Sequence, residues 1–215
     1  MEIKPVAIFR SPLTEKFGIP RQSGLAPALR GQVVLEPGYD APEVLRGLDE
    51  FDYLWLVWGF DTVGWSCTVR PPRLGGNRRI GVFASRSPFR PNPLGLSSVR
   101  IEKVEKGIIH VSGADLMDGT LIYDIKPYVE YADSHPGVRS GFVDTYGWQA
   151  LDVEIPDGLD GQFSPEEIQA LKQVLAQDPR PRYQDDPDRE YGMEFAGRNI
   201  RFRVLDNTLT ITSFD

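Results

Sequence analysis

Short apolar or alternating runs punctuate the first two-thirds of the chain. Val33-Val34-Leu35, Tyr53 to Phe60, Ile80 to Ala84, Ser97 to Val104 and Ile108 to Ser112 are separated by clusters of Gly, Pro and Asn/Asp, the pattern of strands joined by turns. Leu121 to Val129 is another such run, with Leu121, Tyr123, Ile125 and Pro127 on one parity. The segment from Tyr53 to Phe60 is apolar throughout and too short for an ordinary helix, so a strand buried on both faces is expected. Pro42 to Leu48 predicts one short helical turn with Pro42 at its start. Many short strands with turn signals predict a mainly β chain, folded as a compact barrel.

The pattern changes after about Trp148. Leu151 to Ile155 alternates like a strand, and Pro156 to Gly161 breaks it. Ser164-Pro165-Glu166-Glu167 opens a helix, with Ser164 as N-cap, Pro165 at the first helical position and Glu167 completing a capping box. Ile168, Leu171, Val174 and Leu175 form its apolar stripe, and Asp178-Pro179 stops it. Ile200, Phe202 and Val204 then alternate with Arg201 and Arg203, and Asp206-Asn207 turns the chain into Leu209 and Ile211, a terminal hairpin. The division expected is a barrel over residues 1–147 and a small α+β domain over 148–215.

Composition narrows the chemistry. With 215 residues, 40% hydrophobic and 26% charged, the chain has the make-up of an ordinary globular protein, and no run of about 18 apolar residues predicts a membrane span. The N-terminal Met-Glu-Ile-Lys-Pro lacks the apolar core of a secretory signal. A lone Cys67 admits no internal disulfide and fits a reducing cytoplasm; no histidine near it in sequence supports a nucleophilic role. His110 sits in a strand-like run and His135 in a polar loop, so no metal site is expected.

Charge is the informative quantity. The net charge is −7, yet Thr62 to Arg100 holds seven arginines and no carboxylate, so the remainder carries −14. An acid-free arginine block in an acidic protein marks a local anion site, because guanidinium is always charged and binds phosphate or carboxylate through two parallel bonds. Within it, Arg86-Ser-Pro-Phe-Arg-Pro-Asn-Pro-Leu-Gly95 is stiffened by three prolines and carries Arg86, Arg90 and Asn92. Three further segments stand out. Lys16-Phe17-Gly18-Ile19-Pro20-Arg21-Gln22 is a loop that either connects or binds. Asp115-Leu116-Met117-Asp118-Gly119-Thr120 is a turn, continuing through Asp124, Lys126, Pro127 and Tyr128, where side-chain oxygens and backbone amides meet one ligand; a plain Asp-Gly hairpin turn has the same sequence. Asp178-Pro179-Arg180-Pro181-Arg182-Tyr183 offers two arginines and a tyrosine for phosphate contact and base stacking. No Gly-rich phosphate loop and no Gly-x-Ser-x-Gly elbow is present.

These motifs, in this order, resemble the TsaA-like (TrmO) family. The resemblance rests on Lys16-Phe17 with Pro20-Arg21-Gln22, Thr68 to Asn77, Gly81 to Gly95, Asp118-Gly119-Thr120 with Asp124 to Tyr128, and Gln177 to Tyr183. It implies a β-barrel binding S-adenosylmethionine and a homodimer with the cofactor near the subunit interface. It also implies methyl transfer to N6 of threonylcarbamoyl-adenosine next to the tRNA anticodon. Carried over by motif, the cofactor positions are Gln22, Phe60, Asp61, Arg86, Leu96, Leu116, Met117, Asp118 and Gly119. Asp61 stands where a histidine is expected in the family. Substrate contacts fall on Arg90, Asn92, Lys126, Tyr128, Arg180, Arg182 and Tyr183. Asp115 and Asp118 are the candidate general bases, since the carbamoyl-adenine N–H needs a proton acceptor within hydrogen-bond reach. The same pocket suits a cofactor sensor without catalysis, or a methyltransferase for another RNA nucleoside. The Arg180–Tyr183 motif favours the tRNA enzyme.

Overall fold

The computed structural model describes residues 2–61, 64–71, 78–145, 149–156, 162–180 and 186–215. In chain order its strands are β1 (Ala7–Arg10), β2 (Arg30–Leu35), β3 (Tyr53–Gly59), β4 (Thr68–Val69), β5 (Ile80–Gly81), β6 (Leu94–Glu105), β7 (Ile108–Ser112) and β8 (Leu121–Pro127). Two single-turn helices follow, α1 (Glu130–Asp133) and α2 (Phe142–Thr145), then β9 (Asp152–Glu154), α3 (Pro165–Leu175), β10 (Tyr191–Phe195), β11 (Arg198–Leu205) and β12 (Thr208–Phe214).

Six strands close into an antiparallel barrel in the order β1-β2-β7-β6-β3-β8, with β8 pairing back onto β1. Period-two alternation turns Phe9, Val33, Leu54, Leu56, Val99, Ile109, Val111 and Ile122 into one interior. Closure leaves none of these six strands as a free sheet edge. β3 is corrected relative to its uniform sequence: Leu54, Leu56 and Trp58 are buried, whereas Tyr53 is exposed and Trp55 and Val57 are half-buried. Only one face of a barrel strand meets the core. β8 departs from its expected parity too. The pairing with β3 skips Tyr123, so Ile122 and Ile125 both face inward across the bulge while Leu121 is left exposed. The expected strand from Ile80 to Ala84 ends at Gly81, and Val82–Ala84 forms a 3-10 turn. Pro42–Leu45 is also a 3-10 turn, with the proline at its first turn as expected.

The C-terminal segment builds a four-stranded sheet, β10-β11-β12-β9, in which β9 runs parallel to β12. Helix α3 lies against it through Ala170, Leu171, Val174 and Leu175. Its capping box is formed as the sequence predicts: Ser164 accepts from the Glu167 amide and Glu167 accepts from the Ser164 amide. The β11–β12 hairpin turns at Asp206-Asn207, with Asp206 in the left-handed region (φ 52°) that aspartate tolerates.

This second core does not belong to the C-terminal segment alone. Leu13, Ala26 and Leu29, from the loop between β1 and β2, are buried in it beside Phe195 and Phe202. The Gln173 side chain accepts the Ala28 amide at 2.7 Å, and the Ala196 amide donates to the Pro12 carbonyl. The 11–29 loop is therefore clamped between the two cores. Among the described residues no helix is long and apolar enough to cross a membrane.

Candidate cofactor and substrate site

Antiparallel pairing brings the end of β1, the start of β2, the end of β3, the start of β6, the end of β7 and the start of β8 to one mouth of the barrel. The described parts of the connections 11–29, 60–93 and 113–120 therefore start and end there. Backbone bonds lace the first to the third: the Gly24 amide donates to the Gly113 carbonyl at 2.8 Å, and the Asp118 amide to the Leu13 carbonyl at 2.8 Å. Gly119, in the left-handed conformation (φ 78°), closes the Asp118 turn and donates its amide to the Phe9 carbonyl.

The centre of the mouth joins segments far apart in sequence. Arg86 donates to the side-chain carbonyl of Gln22, a neutral partner that leaves the guanidinium charge uncompensated at that contact. Nearby, Asp115 Oδ1 accepts the Ser97 hydroxyl at 2.5 Å, and Ser97 Oγ accepts the indole N–H of Trp58 at 2.9 Å. Phe60 packs on Trp58 with ring centroids 4.2 Å apart. Burial holds the Asp115 carboxyl above the usual carboxylate range. The Ser97 hydroxyl, its own amide, the Arg86 charge and the Ser23 amide pull it back without cancelling the rise.

The arginine loop is built partly by its own arginines. Arg90 Nη1 donates to the Ser85 carbonyl at 2.6 Å and the Val82 carbonyl at 3.1 Å, and the guanidinium lies over the Phe83 ring. Those bonds tie the Val82–Ala84 turn to Ser85, the residue that precedes Arg86. Arg79 likewise grips Thr68 through its hydroxyl and carbonyl. Around the loop, Trp65, Phe83, Phe89, Leu94 and Leu96 are exposed, Phe83 to 76% and Leu96 to 54%.

The other expected positions sort by geometry. Asp118 turns away from Asp115: its oxygens accept the Ser11 amide at 3.0 Å and Arg10 at 3.4 Å. Leu116 is fully buried, so only its backbone is open to a ligand; Met117 is half-buried and Gly119 exposed. Asp61 is exposed, and Lys16 reaches its carbonyl at 3.2 Å and its carboxylate at 3.8 Å. Asn92 is exposed on the arginine loop. Lys126 pairs with Asp124 at 2.7 Å, and the Tyr128 ring packs beside Trp55 and Tyr53 on the outer surface of β3. Arg180, whose side chain is 10% exposed, makes a two-point contact with Asp178 at 2.8 and 3.1 Å, so it braces the segment that follows α3. Arg182 and Tyr183 lie outside the described residues.

Sequence reading missed Ser97 and Trp58. A signal was present: Ser97 shares the inward parity of Val99 on β6, and a hydroxyl at a core position needs a partner. Among the described residues no cluster of three His, Cys, Asp or Glu side chains stands ready for a metal.

Barrel and mouth together define the class: an antiparallel barrel that gathers charged and polar side chains on the loops at one end. Family comparison gives it a lineage. The tRNA-methyltransferase O N-terminal domain matches residues 8–134 and the TrmO C-terminal domain residues 149–215. The chain belongs to the TrmO family. It is 37% identical over 220 residues to the Escherichia coli tRNA (adenine(37)-N6)-methyltransferase, covering 95% of this chain and 94% of that one. It is 41% identical over 231 residues to a Pseudomonas aeruginosa protein provisionally named an S-adenosylmethionine-dependent methyltransferase, covering 95% and 96%. The crystal structure of TrmO from Pseudomonas aeruginosa superimposes with a TM-score of 0.82 at 32% identity, over 100% of this chain and 98% of that one.

Proposed function

We propose that this chain methylates N6 of adenosine 37 in tRNA, using S-adenosylmethionine and acting on the threonylcarbamoyl-modified base. The observation that carries the reading is the mouth itself. There, a guanidinium hydrogen-bonded to a neutral amide stands beside a desolvated carboxylate, inside a family of tRNA methyltransferases. The residues fit the cofactor's chemistry: Arg86 and Gln22 suit an amino-acid carboxylate, and Phe60, Leu96 and the 116–119 backbone offer apolar surface and hydrogen-bonding groups. When bound, S-adenosylmethionine supplies an activated methyl group whose bonding electrons stay on sulfur as the methyl leaves.

The chain's own contribution is positioning, exclusion of water and a proton acceptor. Asp115 fits the last role better than Asp118, whose oxygens already hold Ser11 and Arg10. As N6 gains the methyl group it gives up its proton to Asp115, which must be ionised to receive it. A carboxyl raised by burial is the stronger base for that step. Arg180 braces the segment that leads to Arg182 and Tyr183. That segment, with Asn92 and the arginines of the mouth, supplies the contacts to tRNA, whereas Lys126 and Tyr128, paired with the start of β3, lie at the opposite end of the barrel from that surface. The exposed Trp65, Phe83, Phe89, Leu94 and Leu96 around the mouth support pairing of two copies there. A cytoplasmic location goes with a tRNA substrate.

Labelled S-adenosylmethionine offered with tRNA carrying or lacking the threonylcarbamoyl group tests the reading. Label on the modified tRNA alone is expected. Tight cofactor binding with no transfer to either tRNA overturns it in favour of a sensor, and equal transfer to both removes the threonylcarbamoyl specificity.

A further inference from the structure

We propose that Ser97 and Trp58 form a buried positioning relay that fixes the Asp115 carboxylate in one orientation at the mouth of the barrel. The inference rests on the proposed role of Asp115 and goes beyond it, to residues buried in the barrel wall.

The direction of each bond is dictated by chemistry. An indole nitrogen only donates, so Ser97 Oγ must be the acceptor in its 2.9 Å contact with Trp58. An ionised carboxylate only accepts, so the single Ser97 proton must point at Asp115 Oδ1, 2.5 Å away. The chain therefore runs Trp58 to Ser97 to Asp115 with no freedom to reverse while Asp115 is charged. A hydroxyl that accepts one hydrogen bond donates a stronger one. The relay thus favours the carboxylate form and opposes the burial that disfavours it.

Its members sit on rigid elements. Trp58 pairs with Gly95 across β3 and β6, and Ser97 lies two residues further along β6 with 1% of its surface exposed. The indole is wedged between Phe60 and the bare Cα of Gly95. By contrast, Asp115 sits in a loop, where its side chain would otherwise be free to choose rotamers. A site assembled from strand-borne supports holds its geometry more closely than one left to a loop. Among the described residues, Arg86 is the charged group that acts on Asp115; Ser97, Ser23 and the Asp115 amide contribute as neutral donors.

The test reads Asp115 directly. Its carboxyl carbon is followed by NMR as a function of pH in the full-length protein, assigned by its loss in Asp115→Asn. Ser97→Ala is expected to move the titration midpoint upward, Trp58→Phe to move it the same way by less, and the double variant to match Ser97→Ala alone. Ser97→Thr, which keeps the hydroxyl, should return the midpoint toward the wild-type value. In the methyl-transfer assay the rising limb of kcat against pH should shift in step, with turnover at neutral pH down by about tenfold and the cofactor Kd unchanged. A folded Ser97→Ala protein with an unmoved Asp115 midpoint overturns the relay, as does additivity in the double variant. Should Ser97→Ala not fold, Trp58→Phe decides by the same sign. If the wild-type protein transfers no methyl group, the functional reading fails while the titration still judges the relay.

Discussion

Gly95 faces the indole of Trp58 so closely that a Cβ in its place would lie 2.3 Å from the ring. The two residues are direct partners across β3 and β6, so neither strand can move aside without breaking the barrel ladder. The glycine at the end of the proline-rich arginine loop is thus a packing requirement of the neighbouring strand. It also lets Trp58 reach Ser97.

Gly95→Ala should therefore destabilise the protein by about 1–3 kcal/mol, the usual cost of forcing an extra carbon into a packed interior. Urea unfolding measures that loss. Displacement of the indole should also weaken its bond to Ser97 and reduce turnover. Trp58→Phe in the Gly95→Ala background should recover part of the stability but not the turnover.

Asp115→Asn should raise stability at neutral pH while lowering methyl transfer by about a hundredfold or more. The sign follows from a folded-state pKa raised by burial. Such a group contributes stability that is complete below its unfolded value of about 3.9 and is lost as pH rises through the folded value. Thermal unfolding of the two proteins should differ most near neutrality and converge on acidification toward pH 4.

Glu102 titrates in the opposite sense. Its hydrogen bond from Arg30, then that from the Ser112 hydroxyl, hold its carboxyl below the usual range. The resulting stability is present above the unfolded Glu value of about 4.3 and is lost as pH falls through the folded value. Because Arg30 and Glu102 are both partly exposed, Glu102→Gln should cost at most about 1 kcal/mol at pH 7. The gap should close in acid and shrink in high salt.

Arg90→Ala should disorder the arginine loop without unfolding the barrel. The guanidinium bonds the Val82 carbonyl of the loop's 3-10 turn and that of Ser85 just after it, and hydrogen bonds from a charged donor contribute about 1.5–3 kcal/mol each. Cofactor affinity measured by calorimetry should fall by about tenfold as Arg86 loses its fixed placement, while the unfolding midpoint of the protein changes little. Arg90→Lys keeps a charged donor but loses the flat contact with Phe83, so an intermediate affinity is expected.

Much of this molecule is written locally. The alternation of Ile200, Phe202 and Val204, the Ser164–Glu167 capping box and the Asp206-Asn207 turn each depend on neighbours a few residues away, and each forms as its pattern predicts. The barrel follows from many short strands with turn residues between them. The acid-free arginine window and its proline-stiffened loop also stand out without any coordinates, because charge and backbone restriction are properties of the residues themselves.

Tertiary structure decided what those residues do. β1 carries too short a pattern to be seen alone and becomes a strand by pairing on both sides. A bulge at Tyr123 switched the parity part-way along β8, turning Ile122 inward in place of Leu121 while Ile125 kept its side, since register depends on the partner strand and a one-residue slip turns the side chains before it over. Arg90 and Arg180, both candidates for substrate contact, are occupied in bracing their own segments, while Arg86 alone of the three meets Gln22. Asp115 and Asp118 are three residues apart, yet closure of the barrel gives one to Ser97 and the other to Arg10. Residue types set the available chemistry, but long-range pairing determines which groups share a low-dielectric pocket, and that sharing raises the Asp115 carboxyl while Asp118 is left to hold Ser11 and Arg10.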